Sequence, residues 1–233
     1  MISYNEALQI ILKNSAEKNI KKVSLLKSLN QVSASAVFSK INVPSFNNSA
    51  MDGFAIRSFY IENASAEYPV KLKIDNIIAA GENSTNYNLT GTVQIMTGAL
   101  VPEEYDAVIP VEEVEVKDNI AIFKRPAKKN ENIRFIGEDV GLNQKILSKE
   151  KQISAEDIML LSATGISEVE VYTKPKVQIF STGNEITDDY NAPLEGSKIY
   201  NSNSPFLISR ALEEGLEVNY GGIISDNSEN FKV

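Results

Sequence analysis

VPSFNNSAMDGFAI, from Val43 to Ile56, sets one proline, a run of small polar side chains, one acid and one glycine between two apolar runs. Pro44 biases Val43 towards an extended backbone, so a preceding helix has ended by this point. Asn47, Asn48 and Ser49 can hydrogen-bond their own backbone in turns, and Gly53 can supply a positive φ just after Asp52. An acid in such a turn is aimed by backbone rather than by packing, as an acid that holds a cation or orients a substrate must be. On local chemistry alone, a surface turn with a solvated aspartate is the simpler reading.

Upstream, Ser3 and Glu6 read as a capping box, and Ala7, Ile10 and Ile11 follow on one face, predicting a helix to about Ala16. A second amphipathic segment is expected from Ser24, with Leu25, Leu29, Val32 and Ala36 on one side. Both stripes read as core. Downstream, residues 70–78, 91–96, 107–116 and 119–123 are short runs rich in Val and Ile, punctuated by Gly, Asn and Asp. Lys117, Asp118 and Asn119 form a hairpin turn between the last two. The pattern is that of a small barrel or sandwich, with a polar loop at 79–91. Ser154 then caps a further helix with Asp157 at its third position, and Gly165 is placed to end it.

From Lys174 the texture becomes α/β. Residues 177–180 suit a buried parallel strand. Ser204 and Pro205 read as N-cap and first helical residue of a helix through Phe206, Leu207, Ala211 and Leu212 that Gly215 terminates. Residues 216–220 form the next strand, which residues 221–225 extend or turn, completing a βαβ unit. Two strands are too few for a doubly wound sheet, so an incomplete domain is expected at Val233. Ligands of open parallel sheets bind beyond the carboxyl ends of the strands. Glu185 and Asp226 fall there and can share a hard cation through oxygen. The loop from Thr182 and Gly183 to Asn203 faces the same edge, with the helix N-terminus at Ser204 suited to an anion. Ordinary solvated loop acids remain the other reading.

The 233 residues contain neither cysteine nor histidine. That excludes disulfides, thiolate or imidazole metal sites, and Ser-His-Asp catalysis. A net charge of −8 argues against a nonspecific nucleic-acid partner. No stretch approaches a membrane span, and the N-terminus lacks a secretory pattern, so a cytoplasmic protein is expected.

Four blocks carry a resemblance. SAMDGFA (49–55) is similar to the SAMDGYA segment of the molybdopterin molybdenumtransferase family, the MoeA type related to the gephyrin E domain. IMTGALVPEEYDAVIPVEE (95–113), FIGEDVGLNQKIL (135–147) and VQIFSTGNEI (177–186) resemble further segments of that family, in the same order. The resemblance implies a multidomain α+β architecture. Residues 1–45 plus 143–173 would form an elongated helical or mixed domain, and 46–142 an inserted small β-barrel-like domain. Residues 174–233 would begin an incomplete, Rossmann-like α/β domain that binds molybdopterin.

It also implies the reaction: insertion of molybdate into adenylylated molybdopterin with release of AMP and help from Mg²⁺, in molybdenum cofactor biosynthesis. Asp52, Thr97, Glu185 and Asp226 match functional positions of the family. Asp52 and Thr97 would position molybdate or the pterin. Glu185 and Asp226 would serve the metal or the substrate phosphates, with Thr182, Gly183, Asn203 and Ser204 around the ligand. The family forms homodimers with composite sites, and a molybdopterin adenylyltransferase is a candidate partner. Asn184 stands where the family usually has Asp, and the family's later phosphate-binding loop and C-terminal domain are missing, so this chain alone is expected to be inactive. A molybdopterin adenylyltransferase, or a non-catalytic scaffold, are the alternatives.

Overall fold

The computed structural model describes residues 2–14, 18–82 and 90–226. The chain opens with α1 (Tyr4–Lys13), β1 (Ile20–Ser24), β2 (Val37–Phe38), β3 (Asn48–Ser49) and β4 (Gly53–Ile56). β5 (Val70–Ile78), β6 (Thr92–Ile95), β7 (Ala107–Pro110), β8 (Val114–Lys117) and β9 (Ile120–Phe123) follow. Next come β10 (Ile133–Arg134), β11 (Lys145–Leu147), α2 (Ala155–Ala163) and β12 (Glu168–Tyr172). The last elements are β13 (Lys176–Thr182), β14 (Ile186–Thr187), β15 (Ile199–Tyr200), α3 (Asn203–Glu213) and β16 (Glu217–Ile224). The chain divides into two compact units, residues 24–169 and residues 1–23 with 170–233.

The 24–169 unit is built on a six-stranded mixed sheet in the order β7-β4-β6-β5-β9-β8. Residues 107–116, read as one run, are split in the structure. β7 ends at Pro110, a single 3-10 turn covers Val111–Glu113, and β8 restarts at the opposite end of the sheet. Ala107 and Ile109 of β7 nevertheless share a core with Val114 of β8 and Phe123 of β9. Phe54 and Phe123 meet edge to face there, with ring centroids 6.3 Å apart. A core common to both ends requires the sheet to curl, as a small barrel-like module does. Ala55, Val93, Ile95 and Val108 pack on the other face, which is why β4 and β7 are buried along their whole length.

The hairpin at Asp118 and Asn119 forms as read. Both residues have positive φ, 48° and 62°, the backbone of a two-residue turn whose twist matches its strands.

Two chain passages carry this sheet. Residues 30–43 run antiparallel to 140–153, through the pairing of β2 with β11 and bridges at Val32–Gln152 and Val43–Val140. This pairing replaces the second amphipathic segment expected from Ser24. Only a 3-10 turn, Leu25–Ser28, forms there. The Ser28 hydroxyl donates to the Leu25 carbonyl, and the Asn30 amide then donates to the Ile153 carbonyl. Ladder partners for the backbone outweigh a weak helical stripe, and Leu29 and Val32 are left exposed.

α2 has the expected capping box between Ser154 and Asp157. It ends in a Schellman motif, with the Gly165 amide on the Ser162 carbonyl and the Ile166 amide on the Leu161 carbonyl.

In the other unit, β13 and β16 pair in parallel with α3 between them in sequence, the βαβ unit read from the sequence. Among the described residues the strands are only partly covered, and Phe180 is 38% exposed. α1 carries its capping box but buries none of its residues, so its apolar stripe is not core here. Ala16, its expected end, lies outside the described residues, as does most of the 79–91 loop. No helix among the described residues is long and apolar enough to cross a membrane.

Candidate active site

The Val43–Ile56 stretch is a junction. β3 pairs with β10, Asn48 bridges to Leu100, and Gly53 lies opposite both Ile95 and Pro110. Of its three turn formers, only Ser49 acts locally, its hydroxyl donating to the Met51 carbonyl at 2.6 Å. Asn47 instead accepts the distant Ile136 amide at 2.9 Å, and Asn48 is buried in β3. The Val43–Pro44 peptide is cis.

Gly53 does not adopt the positive φ expected of it. Its lack of a side chain serves close approach: a Cβ there would stand 2.1 Å from the Ile109 carbonyl oxygen.

This junction brings Asp52 and Thr97 together from segments 45 residues apart. The Thr97 amide donates to Asp52 Oδ1 at 2.7 Å and its hydroxyl to the same oxygen at 2.8 Å. Those bonds hold the Asp52 carboxyl below the ordinary aspartate range, the amide more than the hydroxyl. Both residues are exposed. Because the hydroxyl proton is committed to Asp52, the pair turns acceptor oxygens outward and is not itself an oxyanion donor.

In the third block, Arg134 pairs with Glu138 and Asp139, and Glu138 also accepts the Phe135 amide at 2.7 Å.

The other candidates lie in the 1–23 and 170–233 unit, at the carboxyl ends of β13 and β16. The Gly183 amide donates to the Ile224 carbonyl, and the Asp226 amide to Asn184 Oδ1 at 3.4 Å. The turns bearing Glu185 and Asp226 are therefore tied together, and an asparagine at position 184 makes the tie as an aspartate would. Gly183 has φ 141°, and the Glu185 carboxylate folds over it: a Cβ would meet its oxygens at 2.6 and 2.7 Å. Lys198 Nζ donates to the Asn184 carbonyl at 2.6 Å, bringing a cation to this edge. Glu185, Asp226, Thr182 and Asn203 are exposed. No group of three or more acidic side chains is clustered for a metal among the described residues.

Ser204 differs from its expected part. α3 begins at Asn203 with Ser202 as N-cap, so Ser204 lies within the first turn and Pro205 follows at the third helical position. Its amide donates to Asn201 Oδ1 at 3.1 Å, and its buried hydroxyl lies 2.5 Å from that of Ser181. The helix N-terminus is thus less open to an anion than expected, since one amide is taken and Pro205 has none.

The sequence reading missed Asn201, Asp188 and Tyr220, which join Ser181 and Ser204 in one polar network. Tyr220 donates to Asp188 at 2.7 Å, while Asn201 Nδ2 reaches Asp188 at 2.8 Å and the Tyr220 oxygen at 3.0 Å. Burial and then the Asp188 contact push the Tyr220 phenol up. Ser181, a buried serine at the end of a strand, becomes visible as a signal only with the structure.

The model of the MoeA N-terminal region, domains I and II, matches residues 2–165. A molybdopterin molybdenumtransferase from Staphylococcus aureus is 37% identical over 221 residues, covering 93% of this chain and 52% of that protein. One from Synechococcus elongatus is 33% identical, covering 99% and 58%. The crystal structure of a molybdopterin biosynthesis MoeA protein from Pyrococcus horikoshii OT3 superposes with a TM-score of 0.88 at 28% identity, over all of this chain and 62% of that one. The chain spans about half the length of the curated relatives it matches. By its motifs, its fold and these matches, the chain belongs to the MoeA family of molybdopterin molybdenumtransferases.

Proposed function

We propose that this chain works within an enzyme that inserts molybdate into adenylylated molybdopterin with release of AMP, in cytoplasmic molybdenum cofactor biosynthesis. The observation that carries the reading is the Asp52–Thr97 pair. Two separate motif blocks converge on one exposed carboxylate, fixed and kept ionised by an amide and a hydroxyl. The relatives' names support the same reading.

In this proposal Asp52 orients the ligand by accepting its N–H or O–H groups, and Thr97 holds Asp52 for that task. Glu185 and Asp226 offer the hard oxygen donors that Mg²⁺ prefers, and the tie from Asp226 to Asn184 keeps their turns adjacent. Bound there, Mg²⁺ would absorb negative charge on phosphate oxygens. Thr182, Gly183 and Asn203 line the ligand's side of the edge, with Ser204 supporting from behind and Lys198 adding positive charge.

Three domains belong to the proposal: 1–45 with 143–173, 46–142, and 174–233. The antiparallel pairing of 30–43 with 140–153 supports treating the β module as an insertion. A homodimer with a composite site is part of the same reading, with a molybdopterin adenylyltransferase as the supplier of substrate.

The test is AMP release from adenylylated molybdopterin by the chain extended to its relatives' full length. Release that requires molybdate is expected. Tight binding of molybdopterin without release would favour a scaffold, and neither binding nor release would overturn the proposal.

A further inference from the structure

Asn201 is 2% exposed, and each of its polar atoms is hydrogen-bonded. Its amide donates to the Thr187 carbonyl at 2.9 Å, and its carbonyl accepts the Tyr190 hydroxyl at 2.7 Å. Oδ1 accepts the Ser181 hydroxyl at 3.0 Å and the Ser204 amide at 3.1 Å, while Nδ2 serves Asp188 and Tyr220. Ser181 has a single proton and gives it to Asn201, so Ser204 must donate to Ser181. One side chain thereby ties together the end of β13, the first turn of α3, the loop through Asp188 and the middle of β16. The turn that begins one residue after Ser181 is Thr182 to Glu185.

We infer that Asn201 is a positioning residue. By holding Ser181, Ser204, Asp188 and Tyr220 at once, it sets the Thr182–Glu185 turn and the α3 first turn in the arrangement that a phosphate-bearing ligand meets. The inference rests on the proposed function for the identity of that ligand and on the network alone for the positioning. An Asp at 201 is isosteric but loses both Nδ2 donors and sets a second carboxylate against Asp188, so the node opens without a change of volume.

The experiment has two arms. In this chain, hydrogen exchange is compared between wild type and N201D. A rise of at least tenfold in exchange at 181–185 and 203–208, with the 53–56 and 107–109 strands unchanged, is expected. S181A, which removes one contact, should raise exchange at 181–185 about threefold and guards against failure of N201D to fold.

In the extended chain, AMP release is followed with N201D at a temperature where circular dichroism shows it fully folded. A fall in kcat/KM of at least thirtyfold is expected, part of it a rise in KM, which a loss of folded protein would leave unmoved. Unchanged exchange in both variants, or an unchanged kcat/KM, would overturn the inference. If wild type releases no AMP, the functional reading fails, and the exchange arm alone decides whether Asn201 positions the turn.

Discussion

At the scale of single residues, Asp52 and Thr97 show how much depends on one hydroxyl. The acid was legible from the sequence as an exposed turn carboxylate, because glycine and small polar neighbours leave it nothing to pack against. Thr97 is named beside it by the motif blocks, but the bonds between the two were not legible, since Thr97 is far away in sequence and reaches Asp52 only after β4 and β6 pair. T97V keeps the amide bond and removes the hydroxyl bond. The Asp52 pKa, followed by NMR of the carboxyl carbon, should rise in T97V yet stay below the ordinary aspartate value. No movement would mean that the hydroxyl does not hold the carboxylate.

Gly53 does not supply the positive φ expected of it, yet the position still requires a glycine. Sequence suggests the freedom of its backbone, whereas the constraint comes from the neighbouring strand. G53A should cost about 3 kcal/mol, a fall of roughly 6–12 °C in melting temperature. A variant melting within a degree or two of wild type would show that β7 can retreat.

At the scale of elements, local signals were reliable wherever neighbouring residues satisfy each other's backbone groups. The α2 capping box, its glycine end and the Asp118–Asn119 hairpin are such cases. The amphipathic segment expected from Ser24 does not form because its backbone finds partners more than 100 residues away, Asn30 on Ile153 and Ser33 on Lys151. No sequence window reports that competition. S154A should destabilise the 24–169 unit by about 1 kcal/mol, measurable by urea denaturation.

Asp157 gives a pH prediction at the same helix end. It is 5% exposed. Burial pushes its pKa up, but the Lys151 ammonium at 2.6 Å and the Ser154 amide and hydroxyl outweigh this and hold it below the usual range. A depressed folded pKa contributes stability above the unfolded value of about 3.9 and loses it as pH falls through the lower folded value. D157N should therefore be less stable near neutrality and show a flatter loss of stability below about pH 4. An acid limb as steep as that of wild type would contradict the assignment.

At the scale of the whole molecule, the β-rich module and the βαβ unit were legible from texture, because alternation and apolar runs report burial directly. The curl of the sheet was not. It depends on Pro110 splitting one apparent strand so that its halves reach opposite ends of the strand order yet share a core. The candidate site was legible as motif blocks, while the network beneath it was hidden, since Asn201, Asp188 and Tyr220 acquire meaning only once β16 lies beside β13.

The proposed function gives the Asp52 carboxylate a part in a molybdate-dependent transfer. Its most direct measurement is the rate of AMP release from adenylylated molybdopterin by the extended chain, wild type against D52A, with and without molybdate. Molybdate-dependent release by wild type, slowed about a hundredfold or more in D52A, is the predicted result. Release that ignores molybdate, or that D52A leaves intact, would contradict the account.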